Sequence, residues 1–519
     1  MISKNARCCD KMKILLIEPP YLLPNDWKGL HGITPPLGLL YIAAIAEKEG
    51  NEVKIVDTLL NKWKQVNTLD DVEYKGKKVR YLGMSYDEIK ELIEKEKPDM
   101  VGVGVWSIQR FSAFKTFEVV KQIDPNIITV MGGIHATVRP YEGLNNEDID
   151  FVVLAEGEIT FTELLKELKN ENPDFSKIKG LGYKQDGKAH LNEMRKPIED
   201  LDSLPFPAWH KIDLMEYDEV ARSFQGPRQS TKRTAVVFTS RGCPFDCVFC
   251  ASKIITGRRW RPRDPKKVVV EIERLIKEFG IEEIDFEDDN MTLLPERIIE
   301  FCDLIIEKGL KFTWGTGNAI RADTITKELL VKMKEAGCID VTISPETGDQ
   351  SISDYVIGKR LDLKKVENAV KMCKEINLPI SCNFVIGMTG EKIENIEKTL
   401  EFAKKLRELG AYKSHLSIAF PFYGTRLYNL SKEKGYLLKD DFELELALLN
   451  KEAVIKTPDF DPELLYKIHG NWMRKTELEM IKRIIRRNPL SAAKLFLSRP
   501  TYVTKYLVNN FIIKPLKKK

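Results

Sequence analysis

The sequence predicts an α/β protein: an N-terminal doubly wound parallel-sheet domain of Rossmann-like form, a partial (β/α)6 TIM-type barrel, and a helical C-terminal region. Three observations carry this. Strand-length apolar runs alternate with amphipathic helical stretches from residue 13 to about residue 170. The same alternation returns from Thr234 to about residue 422, and a stretch rich in Gly, Pro, Asp and Lys separates the two. At 519 residues the chain is also too long for a single core.

The expected organisation is a tail over 1–11, a first domain over 12–170, a linker over 171–231, a barrel domain over 232–440 and a helical basic region over 441–519. In the first domain Lys13–Glu18, Glu52–Asp57, Met100–Trp106, Ile127–Gly133 and Phe151–Ala155 read as strands. Leu37–Glu49, ended by Gly50, reads as a helix. Ser85-Tyr86-Asp87-Glu88 is a capping box that opens a second helix, stopped at Pro98. Ser112–Ile123 and Thr160–Lys169 complete the set. Such sheets bind ligands at the carboxyl ends of their strands. There stand Trp106 and Ser107, Gly132, Gly133 and His135, and Glu156 and Gly157. Each of these taken alone is a weak signal, and a Gly-Gly after a strand is a plain turn more often than a ligand contact.

The run Asp202–Trp209, with prolines at 205 and 207, reads as an extended connector. Beyond it, Ala235–Ser240, Glu283–Glu287, Lys311–Gly315, Asp340–Ser344, Ile380–Ile386 and His415–Phe420 read as strands with helices between. Six βα units make a partial barrel, whose active residues belong at the carboxyl ends of its strands.

Composition narrows the function classes. With 43% hydrophobic and 31% charged residues, the chain reads as an ordinary folded globular protein. Its nine cysteines are no disulfide framework, which points to a reducing, cytoplasmic setting. No secretory signal and no run of about 18 apolar residues is visible. The segment 471–519 holds 13 Lys and Arg against 2 Glu, a net +11 in a chain whose total is +4, so the preceding residues carry −7. From 474 onward, residues such as Met480, Ile484, Phe496 and Tyr506 alternate with Lys and Arg. That pattern suits peripheral contact with an anionic membrane, or a helical cap on the barrel with a solvated basic face. The basic and aromatic run Arg258-Arg259-Trp260-Arg261 reads as bracing for the preceding loop or a domain interface, and no nucleic-acid partner is expected.

The stretch with the strongest chemistry follows the first barrel strand. Cys243, Cys247 and Cys250 stand at C-x3-C-x2-C spacing. Thiolates aimed at one point suit an iron–sulfur cluster or zinc. Cluster ligation takes four cysteines, so three leave one iron open to a small molecule. Zinc would want a fourth ligand, and three ordinary buried thiols is the remaining reading.

This stretch, with Phe249 as the aromatic of C-x3-C-x-aromatic-C, resembles the signature of the radical S-adenosylmethionine (SAM) superfamily. The resemblance implies a four-iron four-sulfur cluster held by Cys243, Cys247 and Cys250, whose open iron takes SAM for cleavage to a 5'-deoxyadenosyl radical. It also places Phe249, Asp288, Asp289, Asn318, Glu346, Gly387 and Glu391 near SAM. The first domain is similar to the cobalamin-binding domain fused to many of these enzymes. The matching stretches are Pro35–Tyr41, Val101–Gly104, Gly132–Thr137 and Ala155–Glu158, which nominates Pro36, Gly38, Trp106, Ser107, Gly132, Gly133, His135, Glu156 and Gly157 as cobalamin contacts. The Asp-x-His-x-x-Gly motif that supplies a histidine to cobalt in cobalamin mutases is absent. His135 then reads as a packing or ligand-edge residue rather than a cobalt ligand. The expected function is methylation of an unactivated carbon of a small-molecule or lipid substrate, driven by an electron donor such as a ferredoxin or flavodoxin. A radical cyclase without net methylation is the first alternative, and a cobalamin-responsive regulatory protein the second.

Overall fold

The structure is a computed structural model that describes residues 11–24, 34–60, 71–74, 76–217, 233–449 and 452–487. Cys8, Cys9, His31 and the basic segment 488–519 lie outside the described residues.

The first domain runs β1 (Lys13–Glu18), β2 (Tyr21–Pro24), α1 (Leu37–Lys48), β3 (Glu52–Asp57), β4 (Asp71–Tyr74), β5 (Lys77–Leu82), α2 (Tyr86–Glu96), β6 (Met100–Gly104), α3 (Arg110–Ile123), β7 (Ile128–Gly132), α4 (Ile134–Val138), α5 (Pro140–Leu144), β8 (Phe151–Val153) and α6 (Gly157–Glu167). Next come β9 (Leu181–Gln185) and β10 (Lys188–Leu191). The main sheet has the order β10-β9-β8-β7-β6-β1-β3. From β3 to β8 the pairing is parallel, and the inner strands are buried on both faces because helices cover both, while Glu52 and Lys54 of the edge strand β3 are exposed. The strand order reverses at β1, which lies between β3 and β6. The crevice at the carboxyl ends of β1 and β6 is therefore the topological switch point. The capping box forms as expected: Ser85 Oγ accepts the Glu88 N–H and Glu88 returns the bond to the Ser85 N–H.

Two features escaped the sequence pattern. β2, β5 and β4 form a separate antiparallel sheet. Runs such as DVEY and KKVRYL are short and half polar, so they carry no long apolar period. In addition, β9 and β10 fold back antiparallel onto β8, so part of the 171–231 stretch extends the sheet rather than merely connecting.

The second domain runs β11 (Thr234–Val237), β12 (Ser240–Arg241), α7 (Ser252–Ile255), β13 (Arg261–Pro262), α8 (Pro265–Phe279), β14 (Glu283–Phe286), α9 (Pro295–Glu307), β15 (Thr313–Gly315), α10 (Lys327–Glu335), β16 (Cys338–Glu346), α11 (Leu363–Glu375), β17 (Ile380–Ile386), α12 (Ile393–Leu409) and β18 (Lys413–Ile418). The strands of its main sheet lie in the order β11-β14-β15-β16-β17-β18, all parallel. Successive βα units laid side by side in chain order make the open, partial barrel.

Beyond the barrel come α13 (Arg426–Glu433), α14 (Asp441–Leu449) and α15 (Pro462–Arg487). α15 packs on β18, where the Trp472 indole donates to the Ser414 carbonyl at 3.2 Å. α14 turns back to the first domain, where Glu445 meets the buried Arg110 at 2.9 Å. No helix among the described residues is long and apolar enough to cross a membrane. The two domains touch beside the cysteine loop: α4 packs on α7, and Val138 and Ile254 both close on Gly424.

Candidate active site at the domain junction

The cysteine loop is held by backbone contacts before any metal is considered. Gly242 has φ +88°, and a Cβ there would lie 2.3 Å from the Arg259 carbonyl oxygen, so only glycine fits. Val248 N–H donates to Ile357 O at 2.8 Å, and Leu427 N–H donates to Val248 O at 2.9 Å. The loop is thus tied to the segment after β16 and to α13. Asp246, between the first two cysteines, pairs with Lys253 at 2.7 Å and Arg258 at 2.6 Å. The Arg321 guanidinium lies 3.6 Å from the ring centre of Phe245.

Cys243, Cys247 and Cys250 are all partly exposed free thiols, whereas Cys302, Cys338, Cys373 and Cys382 are buried. Burial pushes Cys247 up to about 11, Lys359 opposes this, and Glu346 and the two other loop thiols add to it. Burial also raises Cys243, with Asp289 and Cys250 adding and Arg321 opposing. Asp289 and Arg321 thus act on Cys243, and Glu346 and Lys359 on Cys247. Among the described residues no three His, Cys, Asp or Glu side chains form a compact cage for a single ion. Three partly exposed thiols in one loop are, by their chemistry, the donor set of a thiolate-held cluster with one position left open. Phe249 packs partly buried against the core.

The acidic residues after β14 turn out to brace this loop. Asp288 is buried and accepts from Thr239 N–H at 2.9 Å, Thr239 Oγ1 at 2.6 Å and Ser240 Oγ at 2.5 Å. Asp289 accepts from Gly242 N–H and Thr256 Oγ1. Asn318 donates to Glu287. Glu346 ends β16 at φ 67°, a left-handed conformation unusual for a residue with a Cβ, and pairs with Lys359 at 2.8 Å. Glu391 accepts the N–H groups of Gly387 and Met388 at 2.7 and 3.1 Å, and burial pushes its carboxyl up to about 7. Gly387 has φ +87° and packs on Leu465 of α15.

The first domain presents an open shelf at the carboxyl ends of its strands. A Cβ built on Gly38 or Gly132 would meet nothing within 4 Å, and the Trp106 indole is 52% exposed. Pro36 stands at the N-cap of α1. Open glycine backbone beside an exposed indole leaves room there for a flat ligand. Gly133 has φ +96° and lies against the Val105 backbone, so it serves the turn. Gly157 is a packing glycine between Val153 and Ile42. His135 is fully buried, with Ser107 Oγ on Nδ1 and Glu142 on Nε2, each at 3.2 Å. Burial lowers its pKa, and both ring nitrogens are engaged inside the protein. At the switch point Glu18 ends β1, where Gln109 Nε2 donates to Oε1 at 3.0 Å. Burial, aided by Asp57, pushes Glu18 up to about 8.

Glu156 is buried and engaged within the protein. Its carboxylate takes both terminal nitrogens of Arg261 at 2.7 and 2.8 Å and the Ile198 N–H at 2.7 Å. Arg241, Arg261 and Lys359 are contributors that the sequence pattern did not nominate individually. The run 258–261 does brace the loop: Trp260 Nε1 donates to Asn290 O at 2.8 Å, and Arg259 pairs with Glu199.

Comparison with known proteins supplies the chemistry that geometry leaves open. A family model described as "Radical SAM superfamily" matches residues 237–403, and one described as "B12 binding domain" matches residues 29–165. The chain is 32% identical over 459 residues to an uncharacterized methyltransferase, PH0819, of Pyrococcus horikoshii, covering 88% of this chain and 90% of that protein. It is 29% identical to the anaerobic magnesium-protoporphyrin IX monomethyl ester cyclase of Rubrivivax gelatinosus, covering 76% of this chain and 66% of that enzyme. In fold it is similar to OxsB, a cobalamin-dependent S-adenosylmethionine radical enzyme solved with aqua-cobalamin and S-adenosylmethionine bound. There the TM-score is 0.68 at 18% identity, covering 96% of this chain and 73% of that one.

Proposed function

Because the chain belongs to the radical SAM superfamily, among the members that carry a B12-binding domain, we propose that it is a cobalamin-dependent methyltransferase acting on an unactivated carbon of a small-molecule substrate. The observation that carries the reading is the meeting of the cysteine loop with the ligand shelf: α7, just after Cys250, packs on α4, just after Gly133. When bound, the cluster and SAM supply a hydrogen-abstracting radical and cobalamin supplies the methyl group.

The roles of the chain's own residues follow. Cys243, Cys247 and Cys250 hold the cluster. Asp288 and Asp289 set the loop that carries them. Glu346, beside Cys247 and Lys359, and Asn318 and Gly387 at neighbouring strand ends line the SAM side, while Glu391 holds the Gly387 turn. Pro36, Gly38, Trp106 and Gly132 form the corrin shelf, with Ser107 and His135 beneath it. The half-exposed Trp106 and Phe422 favour an apolar substrate, a lipid included. A small one-electron carrier such as a ferredoxin or flavodoxin supplies the electron. Peripheral membrane contact through residues 474–519 remains part of the reading, and of these 488–519 lie outside the described residues.

Anaerobic reconstitution with iron, sulfide, cobalamin, SAM and a chemical reductant tests the reading. Formation of 5'-deoxyadenosine together with S-adenosylhomocysteine supports methyl transfer. Deoxyadenosine alone favours the cyclase reading, which the kinship to the Rubrivivax cyclase keeps in view. Neither product would overturn both.

A further inference from the structure

The ribbon that flanks the cysteine loop brings two like charges together. β12 and β13 pair antiparallel, and Arg241 and Arg261 are direct cross-strand partners. Like charges opposite one another destabilise a strand pair, and both residues are buried, at 8% and 3% exposure. A ribbon this short has little pairing of its own to oppose the repulsion.

Compensation comes from the other domain. Glu156 takes Arg261 through two hydrogen bonds, and Glu158 takes Arg241 at 2.7 Å. The remaining donors of Arg261 reach Ile198 O and Thr256 O, each at 2.6 Å, and Arg259 O at 3.3 Å. Two arginines and two glutamates form a charge-balanced buried quartet across the junction. Both oxygens of Glu156 are committed to it, so this carboxylate is not offered to a cofactor. Arg241 is two residues from Cys243, and Gly242 between them is wedged against the Arg259 carbonyl, so the ribbon has no slack to absorb a shift.

We propose that Glu156, Glu158, Arg241 and Arg261 are positioning residues that order the cysteine loop only when the first domain is docked, and so set the cluster against the corrin shelf. The cluster part of this rests on the cofactor reading above; the ordering of the loop does not.

The test uses the whole chain, without cofactors, as wild type, Glu156→Gln, Glu158→Gln and the double variant Glu156→Gln with Arg261→Met. Amide hydrogen exchange is followed in peptides spanning 241–250, against a reference peptide spanning 380–386. Loop protection should fall about tenfold or more in either single variant with the reference unchanged, because each strands a buried guanidinium. The double variant should regain most of it, since an apolar group replaces the stranded charge. Unchanged loop protection in both single variants would overturn the proposal. So would an equal loss in the loop and the reference peptide that the double variant fails to restore. After iron–sulfide reconstitution, iron release to a chelator should rise in the same order of variants. A wild-type chain that takes up no cluster would overturn the cofactor reading, while the exchange result still decides the quartet.

Discussion

Asp289 accepts the backbone N–H of Gly242 at 2.9 Å, and so joins the loop after the second barrel strand to the residue that precedes Cys243. The same carboxylate oxygen holds Thr256 Oγ1 at 2.7 Å, on the far side of the cysteine loop. Replacing it leaves a backbone donor unpaired, at a cost of about 1–3 kcal/mol. Asp289→Ala should therefore lower iron and sulfide per chain after reconstitution, with cobalamin uptake unchanged. Metal analysis and corrin absorbance on the same sample read both.

Cys243, Cys247 and Cys250 differ from the other described cysteines in being partly exposed rather than buried. Alanine at any one of the three should abolish the visible absorbance of a reconstituted cluster. Alanine at Cys302 or Cys373 should leave it intact and instead lower the unfolding midpoint, by about 1 kcal/mol or more for the lost packing.

Arg110 is 1% exposed and meets Glu142 at 2.8 Å, Glu445 at 2.9 Å, and Asp441. Burial opposes its charge, and these carboxylates more than restore it. Arg110→Ala strands acidic groups between the first domain and α14, which predicts a loss of about 3–5 kcal/mol. Urea denaturation of the full chain measures it, and α14 should be the first segment to lose hydrogen-exchange protection.

Glu18 binds its proton more tightly in the folded chain than in the unfolded one, since burial lifts it from 4.5 to about 8. Asp57 is lifted from 3.8 to about 6, again first by burial. The stability these groups contribute is full below pH 4 and is lost as pH rises, through 6 for Asp57 and through 8 for Glu18. Glu18→Gln should flatten the fall in stability between pH 5 and 8, by about 1–3 kcal/mol. Urea midpoints across that range check the sign. A steeper fall in the variant would contradict the assignment.

Both ring nitrogens of His135 are bonded inside the protein, to Ser107 and Glu142. His135→Gln should leave the corrin absorbance and the nitrogen hyperfine pattern of bound cob(II)alamin unchanged. A lost axial-nitrogen splitting would refute it.

Much of this was legible along the chain because it is local. Strand and helix periods, the Ser85–Glu88 cap and the cysteine spacing each lie within a dozen residues, and each has a physical signature at that range. The β2-β5-β4 sheet was not, because its short, half-polar strands gain their meaning only from one another. Asp288 and Asp289 were recognisable as important, but an acidic run does not say whether it faces a ligand or a backbone; the Thr239 and Gly242 contacts decide that.

Glu156 divides the two kinds of knowledge most sharply. By itself the sequence determined that a carboxylate follows a strand of a ligand-binding sheet, that three thiols follow the first strand of a barrel, and hence what family of chemistry the chain carries. Only the tertiary structure decided that Glu156 neutralises Arg261, 105 residues later. The reason is electrostatic. A buried charge is tolerable only beside its opposite, and which charges become neighbours is settled by how the two domains dock, which no local pattern encodes.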